Sequence, residues 1–496
     1  VTNIELKVAE PTAVARTRWP VSSGVPLPVG TLIDPAECRL FNAAGEEVRA
    51  QFTPLAWHPD GVHVKWLLVD FAADTTVGEQ ARYTLQCGVR PKRKISPAAT
   101  VKTGSFGKGF APFANVSFDG RKITEADMQQ CGFEVTDGEG KVYSSARMPP
   151  EEVVVEDAGP VRTTVCVRGK MADAAGHTYT RYVCRLHFYA GRPTVRVVFS
   201  LDNDVTEPDM NLISSLKLRI PVAAPHLTFG ADGKARSMKR GERLLQDEDY
   251  HFSVGDSSGR HADGWLMVPG VVAVHLRDFW QRYPKGFSSD EDGIVLELLP
   301  RLPKQQYAGA SSDDLTKLYY WCDRGRYKIR TGVRLTTEFV VDFAPTADND
   351  SYADAPLWQN PLFAACAPQW YCSSGAFGPM VPRSAGSFDV YEKNLDAAFR
   401  AFILRRDSVR EFGFMNFGDW FGERKYNWGN IEYDTQWALA ANFARTGNLD
   451  MLWRAEEAES HNADVDTKHY GAAVGEVWAH CTGHTGGYFP RSWKNM

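Results

Sequence analysis

The segment Phe412–Asp434, FGFMNFGDWFGERKYNWGNIEYD, crowds aromatic and polar side chains together. Trp420, Tyr426, Trp428 and Tyr433 stand beside Asp419, Glu423, Arg424, Asn427, Asn430, Glu432 and Asp434, just ahead of a stretch with helical periodicity. Flat rings of this kind can stack on the C–H faces of a sugar while amides and carboxylates bond its hydroxyls. A well-packed connector, capped by its own polar groups, would have the same composition.

A second concentration lies further along. SHNADVDTKHY carries His461, Asp464, Asp466 and His469, and EVWAHCTGHTGG adds His480 and His484, so that four of the twelve histidines fall within 24 residues. Neutral imidazole accepts a proton near pH 7, which makes His480 or His484 a candidate acid or base on an accessible loop. Carboxylates at Asp464 and Asp466 suit a hard cation such as calcium, although a full ligand loop is lacking. Further forward, DRGRYKIRTGVR holds Arg324, Arg326, Lys328 and Arg330. Alternation places the last three on one strand face, where they are either solvated or, if turned toward a cleft, able to hold a uronate carboxylate. In WHPDGVHVKWLLVDF, a hairpin turn with strand aromatics accounts for His58, Asp60 and Lys65.

These residues need elements to position them. From Val1 to about Cys87, IELKVAE, VHVKWLLVDF and ARYTLQCG alternate as strands of a small β domain over residues 1–90. The basic, Gly- and Pro-punctuated stretch Pro91–Gly109 reads as a linker. Between residues 105 and 345 strand-length runs such as VRTTVCVRG, TRYVCRLHFY, TVRVVFSLD and VRLTTEFVVDF recur between turn signals, the pattern of an antiparallel β-sandwich. After PTADNDSYADAP the period becomes helical over 350–496. Leu395, Ala398, Phe399, Phe402 and Ile403 have the three-and-four spacing of a core-facing helix. IEYDTQWALAANFARTGN and LDMLWRAEEAESHNADV form a helical hairpin broken at Gly447. Helical hairpins with loops rich in Trp, Gly and Asn predict the start of a toroid.

Composition narrows the functional classes. The 496 residues exceed the roughly 250 to 300 that one core supports, so two or three domains are expected. A net charge of −5, with 56 basic and 61 acidic residues spread along the chain, gives no basic field for nucleic acid. No apolar run approaches the ~20 residues of a membrane helix. Nine scattered cysteines without a CxxC pair indicate neither a zinc site nor a disulfide framework; most sit in apolar alternation, which points to buried thiols and a reducing compartment. Because the chain could lack a leader, a soluble cytoplasmic and a secreted location both stay open. No GxGxxG opening a helix, P-loop or GxSxG elbow occurs, which removes dinucleotide, nucleotide and serine-hydrolase chemistry as leading readings.

Taken together, SGVPLPVGTL with PDGVHVKWLLVDF, AGPVRTTVCVRG, FYAGRPTVRVVFSLDN, RDFWQRYPKGF, NWGNIEYD, HNADVDTKHY and GHTGG resemble the YetA-like exo-rhamnogalacturonan lyases, over nearly the whole chain. The resemblance implies a small N-terminal barrel-like β domain, a large antiparallel β-sandwich and a C-terminal α/α toroid. About 145 residues follow the second linker, roughly half of what a toroid needs, so the toroid is expected to be incomplete. The resemblance also implies β-elimination on a uronate polysaccharide. Arg326 or Lys328 would then offset the carboxylate charge, and Tyr433 or His480 would move protons. Trp420, Asn427, Trp428, Asn430, Glu432, Asp434, His461 and His484 would hold the sugar. The partner is thus a polysaccharide or oligosaccharide, with calcium the one cofactor in view and oligomeric state open. Two rivals are a glycoside hydrolase using Glu432 with Asp434 or Asp419, and a glycan-binding protein without turnover.

Overall fold

The computed structural model describes residues 1–90, 108–114, 117–118, 121–122, 130–224, 226–345, 351–384, 386, 388–422, 428–429 and 432–478. The front domain is two antiparallel sheets packed face to face. One contains strands Thr2–Ala9, Cys38–Asn42, Glu47–Val48 and Gln80–Cys87; the other contains Arg16–Pro26, Ala50–Trp57 and Val64–Thr75. Alternation decides which side chains meet between them: Ile4, Leu6 and Val8 from one sheet face Val21, Leu67, Val69 and Phe71 from the other, all buried. The polar boundary near residue 350 does not separate the front domain from the helical end of the chain. Ala364–Cys366 returns to pair with Thr2–Ala9, with Leu6 opposite Cys366, and Tyr371, Phe443 and Met451 share the front core.

The central region is an antiparallel β-sandwich. One sheet runs through neighbouring strands Glu152–Ala158, Arg162–Ala172, Thr178–Tyr189, Thr194–Asp202, Arg334–Asp342, Val272–Leu276 and Ala262–Val268. The opposite sheet is built around Met210–Ile220, which pairs with Phe133–Asp137 on one side and with Ile294–Leu299 and Arg326–Arg330 on the other. Inward positions of Thr194–Asp202 are Val197, Phe199 and Leu201, and Phe199 stacks on Phe133 at 3.7 Å between ring centres. Each such aromatic contributes about 1.5–3 kcal/mol through burial alone.

After the sandwich come two short helices, Ala355–Gln359 and Pro368–Ser373, and three longer ones, Asp389–Val409, Thr435–Thr446 and Leu449–His461. The last two form the expected hairpin. Gly447 at φ +74° takes the left-handed conformation that ends the first, and the Asn448 side chain caps the second by accepting from the Asp450 N–H. In the long helix the expected core stripe is only partly covered. Leu395, Phe399, Phe402 and Ile403 are half-buried and Ala398 is exposed, whereas the buried residues are Glu392, ion-paired with Arg445, and Arg406, bonded to Glu457 at 2.7 Å. No helix among the described residues is long and apolar enough to cross a membrane.

Candidate functional site

The outward face of the first central sheet is where charge converges. Register sets Asp202 opposite Arg334, Ser200 opposite Thr336 and Val198 opposite Glu338, with Arg196 one step further along the same face. The alternate residues point into the core, so these point away from it. Arg185 joins from the neighbouring strand. The facing wall comes from the Leu449–His461 helix, through Glu456, Glu457, Ser460 and His461, and from the π-helical turn Asn462–Asp466 that ends it. With Arg277, Asp278 and Arg282 from a loop, and Phe414 and Phe417 at the base, they enclose a cleft of about 330 Å³.

Five guanidinium groups line this cleft, and four of them are fixed by two-pronged ion pairs. Arg196 bonds Glu338 at 2.8 and 2.8 Å, Arg277 bonds Glu456 at 2.9 and 2.9 Å, Arg334 bonds Asp202 at 2.6 and 2.8 Å, and Arg185 bonds Glu156 at 2.8 and 2.9 Å. Arg282 differs. Its approach to a carboxylate among the described residues is Asp464 at 3.7 Å, and Asp464 is already engaged by the Thr336 N–H at 2.9 Å and hydroxyl at 2.7 Å. Arg282 therefore keeps donor capacity for a ligand.

The same arrangement tunes the acids. Burial favours the neutral form of Glu338, but Arg196 and Arg277 outweigh it and hold the carboxyl well below the usual range. Burial pushes Asp464 and Glu457 the other way, with Arg282 and Thr336 opposing at the first and Arg406 and Arg454 at the second. His461 is 3% exposed, with its Nε2 3.4 Å from Asp466 and 3.6 Å from Asp419. Burial works against its protonation, yet Asp466, Asp419 and Asp464 outweigh it and raise its pKa. Gly418 allows this grouping: a Cβ there would lie 2.2 Å from the Glu457 carbonyl, so only glycine lets the Asp419 loop rest on the helix.

The residues singled out in the sequence are divided by the fold. His461 lines the cleft. Trp420 and Tyr433 stack on each other, 5.4 Å between centres, and Tyr433 is 63% exposed; neither lines the cleft. Trp428 offers no sugar platform, being 1% exposed with its indole N–H given to the Lys317 carbonyl. Glu432 and Asp434 are exposed beside the start of the Thr435–Thr446 helix. Arg326 and Lys328 face away from the cleft, on a strand of the opposite sheet: Arg326 pairs with Asp323 at 2.5 Å, and burial lowers the Lys328 pKa. Asn427, Asn430, His480 and His484 lie outside the described residues. The two carboxylates suited to calcium have protein partners, Thr336 and Arg282 for Asp464 and His461 for Asp466; no metal-holding cluster occurs among the described residues. Sequence reading missed Arg185, Arg196, Arg282, Arg334 and Glu338. For Arg185, Arg196, Arg334 and Glu338 the signal was the charged outward position within otherwise apolar alternation; Arg282 lies on a loop and had no such signal.

Residues 114–229 match the family model of the PcRGLX-like protein central beta sandwich domain. An uncharacterized protein, YetA of Bacillus subtilis (strain 168), is 26% identical over 301 residues, covering 53% of this chain. The match takes in 35% of that relative, so the chain spans about a third of its length. Among solved structures, a glycosyl hydrolase family 38 protein from Enterococcus faecalis covers 74% of this chain and 47% of its own, at 10% identity and a TM-score of 0.39. An alpha-mannosidase from Enterococcus faecalis V583 gives 74% and 46%, at 10% identity and 0.40. At those scores the structural likeness carries no argument about activity. The first two likenesses support a relation to the rhamnogalacturonan lyase-like proteins and leave the reaction open.

Proposed function

We propose that this protein processes a uronate-containing glycan of the rhamnogalacturonan type, cleaving it by β-elimination, with the sugar carboxylate held in the arginine-lined cleft. The observation that carries the reading is Arg282, the one cleft guanidinium without a two-pronged partner among the described residues. Elimination removes the proton α to a carboxylate, which requires that carboxylate's charge to be offset, a base on the sugar face and an acid at the leaving oxygen. Arg282 is assigned the offset in place of Arg326 and Lys328, whose positions lie on the opposite sheet. His461, whose protonation burial opposes and Asp466, Asp419 and Asp464 favour, stands at the end of the helix that walls the cleft. Tyr433 and His480 stay the proposed proton carriers, and Trp420 beside Tyr433 the proposed stacking surface.

Hydrolysis is the second reading. It is favoured by Asp464 and Glu457, two cleft carboxyls whose acid forms burial stabilises, as a general acid requires. Incubation with rhamnogalacturonan separates the two. Elimination leaves an unsaturated uronate, so ultraviolet absorbance rises with time; hydrolysis releases reducing ends with no such rise. Binding without either product would mark a glycan-binding protein.

A further inference from the structure

Strands Cys38–Asn42 and Gln80–Cys87 of the front domain place two cysteines directly opposite one another. The hydrogen bond from the Gly88 N–H to the Glu37 carbonyl, 2.8 Å, falls one residue beyond that pair. An antiparallel ladder alternates bonded and non-bonded pairs, so Cys38 and Cys87 form a non-bonded pair. Such pairs bring Cα atoms to about 4.5 Å, inside the roughly 4.4–6.8 Å that a disulfide accepts. Their sulfurs already lie 3.9 Å apart, and the side chains are 2% and 1% exposed. We propose that Cys38 and Cys87 are a covalent modification site, closing to a cross-strand disulfide by exchange with a small-molecule disulfide such as oxidised glutathione.

The chemistry balances through a mixed disulfide. The Cys87 thiolate, favoured because Cys38 donates its S–H toward that sulfur, attacks the glutathione disulfide and expels one glutathione thiolate. Cys38 then loses its proton and attacks the Cys87 sulfur, expelling the second. Two electrons pass to the glutathione disulfide, and the two cysteine protons end on the two glutathione thiols. The residues are 49 apart in sequence, so the bond would enclose two of the three strands of the second front sheet, Ala50–Trp57 and Val64–Thr75. It would also fix the Gln80–Cys87 strand, neighbour of Thr2–Ala9, which in turn receives Ala364–Cys366.

Proximity in a sheet is not enough by itself. Cys166 and Cys184 lie on adjacent strands, but the register sets Cys166 opposite Arg185 and Cys184 opposite Val167. Their side chains point to opposite faces and cannot meet.

The test is incubation of the native reduced protein with excess oxidised glutathione, followed by alkylation, digestion and mass spectrometry. The expected result is a Cys38–Cys87 linked peptide, a mass loss of about 2 Da reversed by dithiothreitol, and a melting temperature raised by at least about 2 °C. Cys322, which is partly exposed, reports whether the oxidant has reacted. Cys38→Ser and Cys87→Ser should each abolish the linked peptide and the thermal gain, and leave the reduced protein's melting temperature within a few degrees. Glutathionylation at Cys322 without any 38–87 link would overturn the proposal. A mixed disulfide at Cys87 that persists while Cys38 stays free would overturn it as well.

Discussion

The outward face of the central sheet and the loop Phe412–Asp434 are both rich in functional side chains, and among the described residues it is the first whose charged groups line a cleft. Along the sheet, Arg185 and Arg196 lie far in sequence from Arg334 and Glu338, and ladder register brings the four to one surface. In the loop, the candidate groups are adjacent in sequence, and packing disperses them: Trp428 enters the core beside Phe412, Phe414 and Phe417, while Trp420 is half-buried and Tyr433 exposed. Local density in a sequence thus says less about a site than the alternation of strands that pair at a distance.

The contrast can be broken first at its foundation. Phe199→Ala empties the core side of the strand that carries Arg196, and it should cost about 3 to 5 kcal/mol in denaturant unfolding and abolish glycan turnover with it. Trp428→Ala should cost about 3 kcal/mol as a buried core residue, whereas Trp420→Ala, at a half-buried ring, should cost about half as much and act mainly on glycan affinity. If the two tryptophans behave alike, the division of the loop into core and surface is wrong.

Within the cleft, Arg282→Gln should lower kcat/KM on the acidic glycan on the order of 100-fold with little change in unfolding. Arg326→Gln, on the opposite sheet, should change it less than about twofold. The pH response sharpens the same point. Glu338 is depressed, so the stability it contributes is complete above the unfolded carboxyl value near 4.3 and declines as the pH falls below it. His461 is raised, so its contribution is present below its unfolded value near 6.5 and disappears as the pH climbs through its higher folded value. Unfolding curves of Glu338→Gln and His461→Gln against the parent should therefore converge with it at opposite ends, the first in acid and the second in base.

Much of the fold was legible in the residues. Period-two runs located the strands of both β regions, and Gly447 marked the helical hairpin. The return of Ala364–Cys366 to the front sheet was not, because a three-residue edge strand leaves no periodic trace. Of the site, His461 was readable from its cluster. The arginines were not, since an outward charge in an alternating strand has the same appearance whether it meets water or a facing helix. Only the packing of Leu449–His461 against that sheet distinguishes the two.

Recognition of a carboxylate by the cleft is tested most directly by calorimetric titration with a galacturonate-containing rhamnogalacturonan oligosaccharide against its carboxyl-reduced counterpart. The acidic oligosaccharide should bind at least about tenfold more tightly, and Arg282→Gln should remove most of this preference while leaving affinity for the neutral one intact. Equal affinity for the two oligosaccharides, or a preference untouched by Arg282→Gln, would contradict carboxylate recognition at this site.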